Sequence, residues 1–296
     1  MKPSPLRAFL CILWMLPAAA HAEEHRHAPV WMLSDTDSTV FLAGSIHLLR
    51  ETDLPLPEAF DHVYLEAEEL VFEIDMATMT DPGTAAEVRR LGSLPEGESL
   101  SSHFRESTIS RLREYLVERG LPVNSFENCA PGMVFLLLSS FEASRQGARP
   151  EFGLETIYFG KSLRDHKPSR GLETLAFQIS RLNGFEPAMM EDLINEALDE
   201  SAKSGEKLDS IISAWRSGDE EKLASVILDD SSFTPQLKKA LLTDRNRNWV
   251  PEIVKALATD RDVLFLVGAA HLVGDESVVA LLREKGYVVT QLAISE

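Results

Sequence analysis

The chain has 296 residues, and its 47 acidic side chains outnumber its 29 lysines and arginines, which gives a formal charge of −18. A surface this acidic repels nucleic-acid phosphates and anionic lipid, so we expect no nucleic-acid partner. The length allows one ample hydrophobic core. Only Cys129 lies beyond the first 22 residues, which excludes an intramolecular disulfide in that part of the chain.

The first residues have the pattern of a signal peptide. Lys2 and Arg7 come before an apolar stretch at 8–16, which is shorter than the ~20 residues that a membrane-spanning helix needs. The Ala-His-Ala sequence at 20–22 matches an A-x-A cleavage site. We therefore expect residues 1–22 to be removed, leaving a periplasmic or secreted chain with no membrane partner.

Hydrophobic periodicity and turn residues predict the elements that follow. The N-terminal part is a β-hairpin, a helix and a strand, at 30–33, 39–43, 57–68 and 70–75. The middle is almost wholly helical, with helices at 105–119, 131–146, 154–164, 174–182, 187–201, 208–215 and 220–228. The C-terminal part is helix, strand, helix, strand, at 235–258, 263–267, 275–285 and 287–293.

This order of elements predicts a mixed α/β (α+β) fold. Strands from both ends of the chain would build one central sheet, and a helical insertion at about 100–235 would interrupt it and cover the site. No Gly/Ser-rich linker separates independent units, so residues 23–296 form a single domain in this prediction.

Two segments near opposite ends share an unusual pattern. Each has an apolar β-type run, then Gly, a small residue, one further residue and His; they are Gly44-Ser45-Ile46-His47 and Gly268-Ala269-Ala270-His271. Each His is therefore expected just past the end of a buried strand, where α/β folds build their sites. Two core strands followed by incidental histidines would give the same pattern.

An acidic residue at the end of a third strand would complete such a site. Glu73 and Asp75 are the candidates; a solvated strand edge would also explain Glu73, and a helix cap explains Asp75 better. Two imidazoles and a carboxylate are typical ligands of Zn²⁺, Mn²⁺ or Fe²⁺. They also suffice for acid–base catalysis without a metal.

A polar stretch interrupts the amphipathic pattern of the helix at 235–258. Arg245 and Asn246 lie in it, and a cation there suits a substrate carboxylate or an oxyanion. A solvated helix face is the alternative. If Arg245 faces the cleft, Arg245→Ala should weaken turnover with little loss of stability.

These segments resemble the TraB/GumN family, which includes the Tiki metalloproteases, over about residues 30–292. The matching pieces are Gly44-Ser45-Ile46-His47, Phe72-Glu73-Ile74-Asp75, Leu172-Glu173-Thr174 with Gln178, Arg245-Asn246 and Gly268-Ala269-Ala270-His271-Leu272-Val273-Gly274. The resemblance implies that His47, Glu73 and His271 share one site that binds a divalent metal (Mn, Co or Zn). It also implies supporting roles there for Glu173, Arg245 and Asn246.

The sequence thus predicts an exported, metal-dependent hydrolase that acts on peptide or amide bonds. The alternative is a non-catalytic peptide-binding or signalling protein that uses the same cleft for a peptide or small molecule. A third interpretation is a metal-free, esterase-like hydrolase with His47 or His271 as the base.

The leader generates the first testable prediction. Cleavage after Ala22 should give an exported chain that begins at Glu23, because the small residues behind the apolar stretch suit signal peptidase. N-terminal sequencing of the exported protein checks this. A mature chain that still begins at Met1 would contradict both the cleavage and the periplasmic or secreted location.

Overall fold

The computed structural model describes residues 26–229 and 233–294, so the predicted leader lies outside the described residues. Their strands form one six-stranded sheet. The strands are β1 (Arg26–Ser34), β2 (Thr39–Ser45), β3 (Glu69–Ile74), β4 (Ser169–Glu173), β5 (Val263–Gly268) and β6 (Thr290–Ile294). The order across the sheet is β4-β3-β5-β2-β1-β6. The mixed α/β class with a sheet from both ends of the chain is confirmed.

The sheet has a parallel centre and an antiparallel side. β2, β5, β3 and β4 pair in parallel, whereas β1 pairs antiparallel with both β2 and β6. Since β2 and β3 both flank β5, all four parallel strands end at the same edge. Loops that follow these strands therefore meet in one region of the surface.

Most helices lie where the sequence predicted them, but the second and third, at 76–79 and 84–91, were not predicted. They are α1 (Glu58–Glu66), α2 (Met76–Met79), α3 (Thr84–Leu91), α4 (Glu106–Glu118), α5 (Pro131–Arg145), α6 (Leu154–Asp165), α7 (Leu175–Asn183), α8 (Pro187–Glu200), α9 (Ser204–Ser217), α10 (Glu220–Leu228), α11 (Pro235–Lys238), α12 (Asp244–Leu257) and α13 (Val278–Glu284). Asp75 caps α2, because its Oδ1 accepts a hydrogen bond from the Ala77 amide, 3.0 Å away. None of the described helices is long and apolar enough to cross a bilayer.

Two features of the middle region differ from the prediction. β4 lies inside the helical insertion, where its short, polar sequence gives no strand pattern; pairing with β3 defines it. The helix expected at 235–258 is interrupted by a π-helical segment, Lys239–Thr243. The Ala240 carbonyl of this segment accepts from Arg181, and the Leu241 carbonyl accepts from Arg245, 2.9 Å away. These side chains satisfy backbone groups in the widened turn.

The main core surrounds the parallel strands. Every residue of β5 is buried, and so is nearly all of β2, because both faces of these central strands are covered. α9 contributes Trp215, whose Nε1 donates to the Gly44 carbonyl at 2.7 Å. The insertion therefore packs directly onto the strand that leads to His47.

A second core lies among the helices of the insertion, chiefly α4, α5 and α8. At its border the buried Glu142 carboxylate accepts from Tyr115 Oη at 2.5 Å and from Arg119 Nε at 2.8 Å. Burial alone would raise the pKa of Glu142. The hydrogen bonds from Tyr115 and Arg119 outweigh burial and hold the pKa below its ordinary value.

This network predicts an acid-sensitive insertion. Because the folded-state pKa of Glu142 is lowered, its stabilisation is present above pH ~4.5 and is lost as pH falls through the folded pKa. Glu142→Gln should lower the free energy of unfolding at pH 7 by about 1.5–3 kcal/mol, the scale of hydrogen bonds to a charged group, and flatten its fall on acidification. Urea unfolding at several pH values measures both.

Glu118→Gln is the matched control. Glu118 also contacts Arg119, at 3.3 Å, but its side chain is exposed, so its removal should change stability by no more than about 0.5 kcal/mol. Equal losses in the two variants would contradict a specific role for the buried carboxylate.

Candidate functional site

The carboxyl ends of the four parallel strands each supply a side chain to one site. His47 follows β2, Glu73 lies near the end of β3, Glu173 ends β4, and His271 ends the short 3₁₀ turn that follows β5. Apart from His47, these side chains are almost fully enclosed. The sheet thus brings together residues that lie far apart in the sequence.

The two histidines and Glu73 converge on one point beside Gly268. A Cβ atom built on this glycine would lie 3.1 Å from Glu73 Oε1, 3.5 Å from His47 Nε2 and 3.7 Å from His271 Cδ2. The Gly268 amide donates to the same Glu73 oxygen at 2.7 Å. A side chain at this position would fill part of the space that these groups share.

Arg245 joins two carboxylates at the centre of the site. Its Nη2 lies 2.5 Å from Glu73 Oε2, and its Nε lies 3.0 and 3.1 Å from the oxygens of Glu173. Trp249 Nε1 donates to Glu173 at 2.9 Å, and Gln178 Nε2 lies 3.2 Å from both carboxylates. One guanidinium thereby bridges and fixes two acidic side chains from adjacent strands, and it offsets one of their two negative charges.

Asn246 and Arg245 define the tautomer of His271. Arg245 Nη1 lies 3.1 Å from His271 Nε2, and a guanidinium can only donate, so Nε2 accepts. The proton therefore lies on Nδ1, which donates to Asn246 Oδ1 at 2.6 Å. The ring is also packed against Trp249, with centroids 4.3 Å apart. Both residues of the Arg-Asn pair thus contact His271.

Glu155 fixes the other histidine. His47 Nδ1 lies 2.8 Å from Glu155 Oε1, and the same oxygen accepts a short hydrogen bond from Ser45. Glu155 is in the first turn of α6, which follows Gly153. A Cβ on Gly153 would lie 2.1 Å from the His47 carbonyl, so only glycine lets α6 begin this close to the histidine loop.

The protonation states follow from these contacts. The Glu155 carboxylate raises the pKa of His47 to about 9, so this ring carries a proton at neutral pH. Burial and the Arg245 charge lower the pKa of His271 to about 3, despite the opposing effect of Glu73, so this ring is neutral. Burial alone would raise the pKa of Glu73; His271, Arg245, His47 and the Gly268 amide hold it well below its ordinary range.

The chemistry of the donor set partly suits a divalent cation. Both histidines have Nδ1 held by an outer partner, as metal-ligating histidines usually do, and His271 Nε2 lies 3.8 Å from Glu73 Oε1. However, the lone pair of His271 Nε2 already accepts a hydrogen bond from Arg245, and His47 would have to lose its proton before it could bind a metal. Within residues 26–229 and 233–294, no group of three or more His, Cys, Asp or Glu side chains is arranged to hold a metal. The metal stays a prediction.

A cavity of about 510 Å³ opens onto this site. His47, Glu73, Arg245, Gly268 and His271 line its polar end. The side chain of His47 is 60% exposed, so it is the site residue that an incoming molecule reaches most readily.

The structure brings all six sequence-predicted site residues together, while their catalytic and metal-binding roles stay predictions. Glu155, Trp249, Gln178 and the Gly268 amide are site groups that the sequence did not single out for a role. The position of Glu155, in the first turn of a helix that follows a glycine, is a sequence signal that could have indicated a site role for this residue. Trp249, four residues after Arg245, shares its helix face.

Comparison with known proteins assigns the chain to a family. The profile of the TraB/PrgY/gumN family matches residues 29–291. The chain belongs to this family. Two relatives in it, both described as uncharacterized protein YbaP, come from Escherichia coli (strain K12) and Shigella flexneri. Each is 25% identical over 242 residues, which is 82% of this chain and 87% of the relative. No solved structure matches the chain.

The burial of Arg245 corrects one expectation. The sequence suggested that Arg245→Ala would leave stability almost unchanged, but the guanidinium is enclosed between two carboxylates and is not part of a solvated helix face. Truncation would leave both carboxylates without their cation. Removing one partner of a buried ion pair typically costs 3–5 kcal/mol, roughly.

The same helix offers a matched pair of variants. Arg245→Met should lower the free energy of unfolding by about 3–5 kcal/mol, whereas Arg247→Met should cost about 0.5 kcal/mol, because Arg247 pairs with Glu276 at the surface. Adding Glu73→Gln to Arg245→Met should recover part of the loss by removing one unpaired charge. Chemical denaturation measures the free energy of unfolding of all three variants. Equal losses for Arg245→Met and Arg247→Met would contradict a stabilising role for the buried contacts of Arg245 with Glu73 and Glu173.

Proposed function

We propose that this family member is an exported hydrolase of peptide or amide bonds that works at His47, Glu73 and His271. The observation that carries the proposal is the convergence of Glu73 Oε1, His47 Nε2 and the His271 ring on one point at the mouth of a cavity. An accessible imidazole beside a fixed carboxylate and a neutral imidazole suits hydrolytic chemistry. The signal-peptide pattern supports a periplasmic or secreted location.

In this proposal His47 handles the proton. Glu155 holds its Nδ1, which leaves the exposed Nε2 directed at the space beside Gly268. A protonated His47 can stabilise a developing oxyanion or give its proton to the leaving amine. Glu73 and His271 border the same space and orient whatever enters it, while Arg245 and Asn246 hold these two side chains in position.

The proposal includes a divalent cation (Mn, Co or Zn), for which His47, Glu73 and His271 would be the ligands. Because Glu155 holds Nδ1, His47 would bind the cation through Nε2 and lose its proton, so proton donation by His47 applies to the site without the metal. When bound, such an ion would polarise the substrate carbonyl and lower the pKa of a water molecule. Neutral His271 and ionised Glu73 are already in the protonation states that ligands need.

One observation favours a non-catalytic alternative. The buried polar groups of the site already satisfy one another, since Arg245 engages Glu73, Glu173 and His271. Polar groups that are already paired with one another are not free to act on a substrate, whereas a protein that only binds a peptide in the cavity needs no reactive group. Peptide binding without cleavage is therefore the second candidate function.

A cleavage assay with metal analysis tests the proposal. The exported chain should cleave members of a peptide library in the presence of Mn²⁺, Co²⁺ or Zn²⁺, as followed by mass spectrometry. His47→Ala should reduce turnover by at least about 100-fold, the scale expected for losing a proton-transfer group. It should also lower the bound metal, because too few donors remain.

His62→Ala is the matched control, since His62 is an exposed histidine on α1 paired with Glu66. It should leave turnover and metal content unchanged. Full turnover in chelator would favour the metal-free hydrolase instead. Peptide binding with no cleavage under any metal condition would favour the binding protein, and undiminished cleavage by His47→Ala would contradict the proposed site.

A further inference from the structure

The cavity at the site has two chemically different parts. Beyond its polar end, the wall comes from the helical insertion and the π-helical segment, and it is mainly apolar. Residues from several elements form this wall, among them Phe135 and Leu136 of α5, Leu182 of α7, Ile211 of α9 and Val226 of α10.

The positive charges near this wall are already paired. Arg181 lies 2.8 Å from Asp244, and Lys207 lies 3.0 Å from Glu200. Arg245 is paired with the carboxylates of Glu73 and Glu173. The wall therefore selects by apolar contact more than by charge, since each cation near it already has an acidic partner.

The apolar part is continuous with the polar site, because the same residues that converge beside Gly268 also line this cavity. A substrate whose scissile amide lies beside His47 would thus have the neighbouring group inside the apolar part. The total volume of about 510 Å³ is within the range of specific ligand sites and accommodates a large side chain as well as the reacting group.

We propose that the apolar wall is a specificity subsite for a large hydrophobic side chain, such as leucine or phenylalanine, directly flanking the scissile bond of a peptide. This rests on the proposed hydrolase function and names its substrate class. The insertion selects the substrate, and the ends of the parallel strands act on it. Leu136 is the best single probe, because it lines the cavity and yet is 36% exposed, so its replacement leaves the core intact.

A binding measurement tests the subsite without requiring turnover. The probes are two hexapeptides with a reduced, uncleavable amide that differ only in the residue flanking that bond, leucine or serine. Calorimetric titration of the full exported chain should give at least about tenfold tighter binding of the leucine peptide, as expected for burying one such side chain. Leu136→Gln should remove most of this preference.

Leu137→Gln is the matched control. Leu137 is the next residue of α5 and is similarly exposed, at 40%, but it is not among the lining residues of this cavity. It should keep the wild-type preference, and both variants should unfold at the same denaturant concentration. Equal affinities of the wild type for the two peptides, no binding of either, or a preference that Leu136→Gln leaves unchanged would each overturn the subsite.

The same titration separates the two proposals. A preference for leucine that depends on Leu136 supports the subsite even where no peptide is cleaved, in which case the hydrolase proposal alone fails. Cleavage without any preference for an apolar flanking residue overturns the subsite and leaves the hydrolase proposal standing.

Discussion

The site depends on the ion pairs of the Arg245 guanidinium with the carboxylates of Glu73 and Glu173. Glu73 and Glu173 come from neighbouring parallel strands and their side chains are almost fully enclosed, so without a cation their charges would destabilise the end of the sheet. Arg245 reaches both carboxylates and also contacts His271, which ties α12 to three strand ends. The π-helical segment before it supplies one more acceptor, the Leu241 carbonyl. A local irregularity of a helix thus helps to fix the most connected side chain of the site.

Parallel pairing explains why distant sequence segments meet. A crossover connection returns each strand in the same direction, so the residues after β2, β3, β4 and β5 come to one edge. The apolar cavity wall has a different origin, because helices of the insertion carry it. The two parts of the cavity therefore rest on separate structural supports: a rigid sheet for the reactive groups and a helical layer for substrate selection, as proposed. Other insertion residues, such as Glu155 and Trp215, contact the strand-end segments directly, so exposed positions of the wall such as Leu136 are the ones expected to alter binding alone.

Much of this arrangement was readable from the sequence, for identifiable reasons. A buried central strand such as Val263–Gly268 is apolar throughout, and most helices have clear periodicity, so these elements were predicted, whereas α2 and α3 were not. β4 was missed because Ser169–Glu173 becomes a strand only through its pairing with β3. The contact of the π-helical segment with Arg181 and the contact between Glu155 and His47 join groups far apart in the sequence, which no local pattern records. The cavity wall was missed for the same reason, since it draws on five or more separate elements.

The charged groups of the site are paired with one another before any ligand arrives. Glu155 engages His47, and Arg245 engages Glu73 and Glu173. An incoming carbonyl or cation must compete with these contacts, which weakens its binding at the polar end. The free energy for that competition has to come from elsewhere on the ligand, and burial of an apolar group in the adjoining wall is the available source. A ligand that offers only polar groups lacks this source of free energy, so the pairing within the site agrees with the proposed preference for substrates with a hydrophobic residue beside the reacting bond.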